Sequence, residues 1–404
     1  MNNTIVIIGG GVASVNAIKA IREIDKTSSI HVIMNENIYP YYRIRLTKGM
    51  FDPLDINKLL LQKPEWYDQN NVQLHIGREA VAIDTEECKI SLDNGEELFY
   101  DQLLLANGAR NSSPHVEGIE KNNIYSIRQL TDIEEIRKKI TDKNVVLCIG
   151  GGIQNLEAAW AIRSQGKKVT IAEFQDRLMP KQLDRKASEI LKRAVQDSGI
   201  KILLNTEITK ITGAKEANGA LTKDGKLIEC DMVIYSVGIK PNIELYENTP
   251  LEINRGLVVD RHMRTNLDNI YAAGDVAEMN GCVIGLWSIA MEQGKIAGKN
   301  MSGIEAIYTD IIPVTNMNAF HLSVFSIGNI DETSARHTIT EESFDESSYT
   351  RIFIQENIII GAIVIGNPKN NTLLKKFVEN KTPLPNMDYS SISVEEFITL
   401  LRNS

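Results

Sequence analysis

The residues best placed to do chemistry stand in two glycine-rich turns. Gly9-x-Gly11-x-x-Ser14 follows the β-branched run Thr4–Ile8, and Gly150-x-Gly152-x-x-Asn155 follows the apolar run Val145–Ile149. Each turn opens a stretch of helical periodicity. A turn of this kind brings backbone N–H groups and a helix N-terminus against a pyrophosphate. The first Gly makes the turn, the second permits close approach, and the third position packs helix on strand. In both copies a second strand follows, 30–34 and 169–172, and ends near an acid, Glu36 and Glu173. That context is what the motif requires to bind a dinucleotide.

The two copies differ in detail. Ser14 is small and lets its helix pack closely, whereas Asn155 is larger and predicts looser binding or a displaced helix. At the first site Asn35 holds the expected acid position, with Glu36 next; an amide binds a ribose hydroxyl less strongly than a carboxylate does. At the second site Glu173 would accept from a ribose 2′-OH and repel a 2′-phosphate, and Phe174 and Gln175 follow rather than an arginine. This favours NADH over NADPH. Two dinucleotide sites in one chain imply one resident and one exchanged cofactor. Nicotinamide hands over a hydride, and flavin accepts the pair and can release electrons singly.

The elements that must position these turns are legible from periodicity. After the first turn Val15, Ile18 and Ile21 fall on one helical face, with Lys19, Arg22 and Glu23 on the other. After the second, a helix runs through Ala158, Ala159, Ile162 and Arg163 and stops at Gly166. Ala80–Asp84, Lys89–Leu92 and 97–100, with the turn Asp93-Asn94-Gly95, read as a β-meander. Further strands are expected at 102–106, at 231–237 before Gly238, and at 269–273 before Gly274-Asp275. From about Ile311 the pattern changes to β-like stretches at 319–327, Tyr349–Gln355 and Ile358–Ile365, followed by a helical tail.

Composition narrows the class. The 404 residues are 43% hydrophobic and 24% charged, ordinary for a globular protein, with a net charge of −9 that argues against nucleic-acid binding. Cys88, Cys148, Cys230 and Cys282 form no CxxC, and the six histidines form no ligand cluster, so no metal site is expected. Cys148 reads as a buried thiol acting as a small hydrophobe. No stretch approaches the roughly 20 apolar residues of a membrane span. Nor does the N-terminus carry an export signal. With sparse cysteines, this points to the cytoplasm.

Three further segments carry a resemblance. Ile270-Tyr271-Ala272-Ala273-Gly274-Asp275-Val276 resembles the second FAD-binding signature of the flavoprotein pyridine-nucleotide oxidoreductases. Leu104-Leu105-Ala106-Asn107-Gly108-Ala109 resembles their ATG segment, with Asn107 where Thr is usual. Gly238-Ile239-Lys240-Pro241-Asn242 resembles the segment beside the nicotinamide. The landmarks stand in the family's order over residues 1 to about 302. Subfamilies with a thiol relay carry cysteines where this chain reads Tyr39-Pro40-Tyr41-Tyr42-Arg43-Ile44-Arg45-Leu46-Thr47-Lys48. That segment, the run 286–294 and the β-rich C-terminal region resemble NADH:rubredoxin oxidoreductases and ferredoxin reductases.

The resemblance implies an α/β fold: two Rossmann-like, three-layer dinucleotide-binding domains and a C-terminal α+β domain. Residues 1–112 and 240–310 would bind FAD, 113–239 would bind NAD, and 311–404 would close the chain. It implies FAD contacts from Gly9, Gly11, Ser14, Asn35, Glu36, Arg43, Lys48, Ala106, Gly108, Gly274, Asp275, Val276 and Trp287. Trp287 reads equally as a core aromatic. NAD contacts fall to Gly150, Gly152, Asn155, Glu157, Glu173 and Gly238. Lys48 and Glu157 would pair near flavin N5 as the catalytic residues. The implied reaction passes hydride from NADH to flavin, then single electrons to a small redox protein, rubredoxin above others. Lys369, Lys375, Lys376 and Lys381, with Arg43 and Arg45, are the candidate basic patches for such a partner. Two alternatives stand beside it: an NADH oxidase or quinone-type dehydrogenase, and a slow flavin-bearing sensor or interaction protein, motivated by the unusual Asn107, Gln154 and Asn155.

Overall fold

The computed structural model describes residues 3–53, 55–343, 348–389 and 391–403. The chain divides into two compact units, one of 1–45, 52–112 and 238–311, the other of 46–51, 113–237 and 312–404. The short segment 46–51 thus belongs with the second unit although its flanks belong to the first.

In the first unit a five-stranded parallel sheet runs in the order Ile270–Ala272, Gln102–Leu105, Thr4–Ile8, Ser29–Met34, Val72–Ile76. Its central strands are almost continuously apolar, as strands covered on both faces must be. Ile5, Val6 and Ile7 are fully buried, as are Leu103, Leu104 and Leu105. The first turn feeds helix Val12–Ile24, which packs against helix Trp287–Met301. Small residues set that approach. A Cβ on Gly294 would meet Ala13 O at 2.1 Å, and one on Gly298 would meet Ala17 O at 2.4 Å. The meander Ala80–Asp84, Lys89–Leu92, Glu97–Phe99 forms as its alternating pattern predicts.

One helical residue departs from the periodic reading. Arg22, expected on the solvent face, is buried. Its guanidinium donates to the carbonyls of Asn70 at 2.6 Å, Asp25 at 3.0 Å, Ser28 at 2.7 Å and Asn71 at 3.2 Å. A helical wheel places a charge outside by default, whereas four carbonyl acceptors make its burial tolerable.

The second unit repeats the plan. Its parallel sheet runs Lys201–Leu203, Lys168–Ala172, Val145–Ile149, Met232–Tyr235, Ile124–Ser126, and it too has a meander, Ile208–Thr212, Gly219–Thr222, Leu227–Glu229. Cys148 is fully buried in the central strand, and burial pushes its thiol up to about 12. The rest of the unit is an antiparallel sheet in the order Val314–Ala319, Leu322–Gly328, Ile358–Ile365, Tyr349–Gln355, His337–Glu342, with helices Asn371–Glu379 and Val394–Arg402. The single stretch expected at 319–327 is two strands, because Phe320 and His321 turn the chain with φ of +56° each. Neither is a turn-forming type, so the sequence gives no sign of the hairpin. That tip packs edge-on against Trp160 of helix Ile153–Ser164, with ring centroids 5.4 Å and 5.1 Å away. Tyr349 and Arg351 of the antiparallel sheet donate to Asp184 Oδ2 at 2.7 Å and 3.2 Å, and Asp184 caps helix Arg185–Asp197.

Two predictions follow from packing in the first unit. Gly294→Ala forces the two helices apart, and the thermal midpoint of the FAD-loaded protein should fall by several degrees, as about 1–3 kcal/mol of overpacking requires. The second concerns His31 and His75, whose rings stack with Nδ1 of one 3.1 Å from Nε2 of the other. Burial lowers both below the ordinary histidine value, and His75 lowers His31 further, against the raising influence of Glu96 on each. A base depressed in the folded state stabilises it above the unfolded pKa, and that contribution is lost as pH falls from about 6.5. Melting curves should therefore show a fall below pH 6.5 that His31→Phe/His75→Phe blunts.

Candidate functional site

The two fingerprint turns have the same internal chemistry. Gly9 and Gly150 adopt φ of +112° and +110°, and a Cβ on either would strike a neighbouring carbonyl, Ala106 O at 2.2 Å or Ser236 O at 2.4 Å. Only glycine fits there. Beyond Gly11 and Gly152 an added Cβ would meet nothing within 4 Å, so the second glycine of each turn faces open space. At the third position Ser14 Oγ donates to Gly9 O at 2.5 Å, and Asn155 Nδ2 donates to Gly150 O at 2.7 Å. Asn155 is therefore the counterpart of Ser14. It is buried in the turn, and its Oδ1 has no hydrogen-bond partner among the described residues.

Gln154 and Asn107, the other unusual residues, find side-chain partners. Gln154 Nε2 donates to Ile127 O at 2.6 Å, and its Oε1 accepts from Ser236 Oγ at 2.9 Å. Asn107 and Asn242 exchange side-chain-to-carbonyl bonds of 2.9 Å each. Tyr246, fully buried, donates its hydroxyl to Asn107 Oδ1 at 2.7 Å. These amides tie chain segments together.

At the strand ends the acids are engaged. Glu173 is buried; its carboxylate accepts from the Gly151 N–H and from the Gln175 N–H, the latter at 2.6 Å. It braces the glycine turn from behind. In the first unit Asn35 is exposed, and Glu36 is held by the Arg43 guanidinium and by Tyr41 Oη at 2.7 Å. Burial opposes the Arg43 charge, but Tyr41, Glu36 and Asp275 outweigh it, so its guanidinium is held above the ordinary value.

Around the second FAD signature, Gly274 N–H donates to the buried Gln293 Oε1 at 2.8 Å, and Val276 is fully buried. Ala106 is buried and Gly108 has φ of +67°. A cavity at the signature is lined by Gly274, Asp275, Leu286, Ile289 and Gln293. Gln293 lies in a run singled out in the sequence, but its hold on Gly274 was not foreseen. Trp287 begins its helix and stacks on Tyr42, centroids 5.6 Å apart, at the margin of the core. Gly238 lies with the first unit, its carbonyl accepting from Ser112 N–H at 2.9 Å.

Lys48 and Glu157 do come together. Glu157 is 7% exposed, and Lys48 Nζ lies 3.8 Å from its Oε1, close enough for charge attraction but too far for a hydrogen bond. Oε1 has no hydrogen-bond partner among the described residues, while Oε2 accepts from Thr47 Oγ1 at 2.6 Å. Burial raises the carboxyl pKa, against the lowering influences of the Thr47 bond and the Lys48 charge. Sequence reasoning missed Thr47; its partner is 110 positions away.

A dinucleotide fits this framework: two cradles closed to any Cβ at their first glycine and open beyond their second, and a buried acid with one unpartnered oxygen. The model for pyridine nucleotide-disulphide oxidoreductases matches residues 3–294, and that for the rubredoxin NAD+ reductase C-terminal domain matches 313–382. The chain belongs to the pyridine nucleotide-disulphide oxidoreductase family. An NADH-rubredoxin oxidoreductase of Clostridium acetobutylicum is 32% identical over 386 residues, covering 95% of this chain and 96% of that one. A nitrite reductase [NAD(P)H] of Bacillus subtilis is 30% identical over 392 residues, and this chain spans only 48% of its length. Among solved structures, NADH:rubredoxin oxidoreductase from Clostridium acetobutylicum matches at 31% identity with a TM-score of 0.78, covering 99% of this chain and all of that one. A ferredoxin reductase from Rhodopseudomonas palustris matches the fold with a TM-score of 0.87 at 24% identity, covering 95% of this chain and 96% of that one. All four cysteines are free, although the family takes its name from disulfide chemistry. Among the described residues no helix is long and apolar enough to cross a membrane, and no group of three potential ligands could hold a metal ion.

The Asn107 network generates a stability prediction. Asn107→Ala strands the buried Tyr246 hydroxyl and should cost about 1–3 kcal/mol. Adding Tyr246→Phe should return part of that loss in a thermal-shift double-mutant cycle.

Proposed function

We propose that this chain passes hydride from NADH to a resident FAD and then single electrons to a small redox protein of the rubredoxin class. The observation that carries the reading is the pairing of two equivalent dinucleotide cradles with a buried, lysine-paired glutamate and no cysteine in the 39–48 segment. Thiol relay is thereby absent from the place where thiol-using relatives keep it, and electrons leave the flavin directly. When bound, the flavin supplies the conversion from a two-electron donor to a one-electron acceptor.

The residues divide as follows. FAD falls to 1–112 and 240–310, with Gly9, Gly11 and Ser14 at the pyrophosphate and Asp275 at the ribityl chain. Ala106, Gly108, Gly274 and Val276 shape its pocket, and Arg43 and the Tyr42–Trp287 stack flank the ring. Asn35, the exposed neighbour of the paired Glu36, is left for the ribose. NADH falls to 113–239, with Gly150, Gly152 and Asn155 forming the cradle and Glu173 at the ribose; Gly238 borders the nicotinamide. Lys48 and Glu157 are the catalytic pair. Residues 311–404 form the C-terminal α+β domain. There Lys375 pairs with Glu379 at 3.7 Å, so the lysine cluster is partly neutralised as a docking patch. The proposed location is the cytoplasm.

Anaerobic titration with NADH, read at the flavin's visible absorbance, tests the first half-reaction: fast bleaching is expected, and an unbleached yellow protein overturns it. Added rubredoxin should then restore the colour faster than oxygen or a quinone does. Glu157→Ala should slow bleaching about 100-fold while FAD stays bound, the scale expected when a positioning contact is lost; an unchanged rate removes Glu157 from the pair. Asn155→Ser should leave the KM for NADH near wild type, whereas Asn155→Ala should raise it about fivefold, the worth of about one hydrogen bond.

A further inference from the structure

We propose that Thr47 is a positioning residue for this reaction: its hydroxyl fixes one oxygen of Glu157 and so presents the other to Lys48. The inference rests on the function proposed above, and nothing in the motifs or the family's landmarks assigns Thr47 a role.

The geometry carries it. Thr47 is 5% exposed, and its Oγ1 donates to Glu157 Oε2 at 2.6 Å, the short distance of a bond to a charged acceptor. The backbone on either side is held. Leu46 and Met50 are buried, and Arg137 donates to Gly49 O at 3.1 Å and to Met50 O. Thr47 therefore sits on a fixed ledge, with Lys48 as its next residue. Lys48 is half exposed on a flexible stem, 3.8 Å from Oε1, and cannot by itself hold the carboxyl in one rotamer. The hydroxyl can. It anchors Glu157 to the same ledge that carries the lysine, and so it sets the distance between the two charges.

The bond also chooses a protonation state. Burial favours the neutral acid, while a hydroxyl donated to Oε2 favours the carboxylate. Among the described residues Lys48 is the one charged group acting on Glu157 besides this bond, and it works in the same direction. With the hydroxyl gone the carboxyl should hold its proton to higher pH.

Infrared titration of the oxidised, FAD-loaded protein reads this without NADH, with the Glu157 carboxyl band assigned by difference against Glu157→Gln. Thr47→Val should move the titration up by about one pH unit, the size of one charge-assisted hydrogen bond. Thr47→Ser should titrate with the wild type. Thr47→Ala serves as the second variant should valine disturb the fold, and the same upward shift is expected of it. A valine or alanine variant titrating with the wild type overturns the proposal, and so does a serine variant that shifts as valine does. In stopped flow the pH midpoint of flavin bleaching should move with the infrared midpoint. Because the infrared arm needs no turnover, a shifted band in a protein that ignores NADH would refute the proposed function and leave the Thr47–Glu157 coupling standing. An unshifted band in a protein that bleaches would do the reverse.

Discussion

The structure depends on one steric constraint: at the first glycine of each turn the chain passes so close to the end of the adjacent strand that no side chain can exist there. Gly9 presses on Ala106 and Gly150 on Ser236, and both take a backbone conformation that L-residues avoid. From that contact the helix is launched at the angle that leaves the second glycine open. The helix N-terminus beyond that second glycine then faces open space, the setting in which an anion is bound. Ser14 and Asn155 close the turn from inside through the same bond to the same carbonyl. Two side chains of different size thus perform one task, and the fingerprint tolerates either because the task is a hydrogen bond at a fixed reach.

What the sequence made legible is what sterics encodes locally. The glycine spacing, the apolar central strands and the meander are short-range patterns, and they placed the central strands of both parallel sheets but not Val72–Ile76, Ile124–Ser126 or Lys201–Leu203. The mixed α/β fold and the family agree with that reading. Patterns failed where partners are distant. Arg22 looked solvent-facing because its carbonyl acceptors lie partly on another segment, 48 and 49 residues on. The partners of Asn107 are as remote, Asn242 and Tyr246 being 135 and 139 positions away. Thr47 attracted no notice because a threonine beside a lysine carries no signal until the fold brings Glu157 to it. The hairpin at Phe320-His321 was invisible for a different reason: bulky residues at positive φ are tolerated there by packing on Trp160 and not by their own preference.

The site also shows how burial and charge divide the work of tuning an acid. Desolvation alone would keep Glu157 neutral, and lysine alone, half in water, would be a weak corrective. A hydroxyl buried beside the carboxylate acts at short range in a low-dielectric setting, where a single donor counts for most. Glu173 illustrates the opposite arrangement. It satisfies itself on backbone N–H groups of its own turn, so its carboxylate serves as scaffold as much as contact.

The rings packed at Trp160 give the molecule a native optical reporter. The chain holds three tryptophans, and this one lies between a phenylalanine and a histidine of the C-terminal sheet while standing on the helix that opens the second cradle. Its emission is therefore sensitive to whether that sheet is seated on that helix, with the His321 ring centroid 5.1 Å away. Loosening of the C-terminal domain becomes visible as a change in fluorescence, with no label attached and no demand on the flavin.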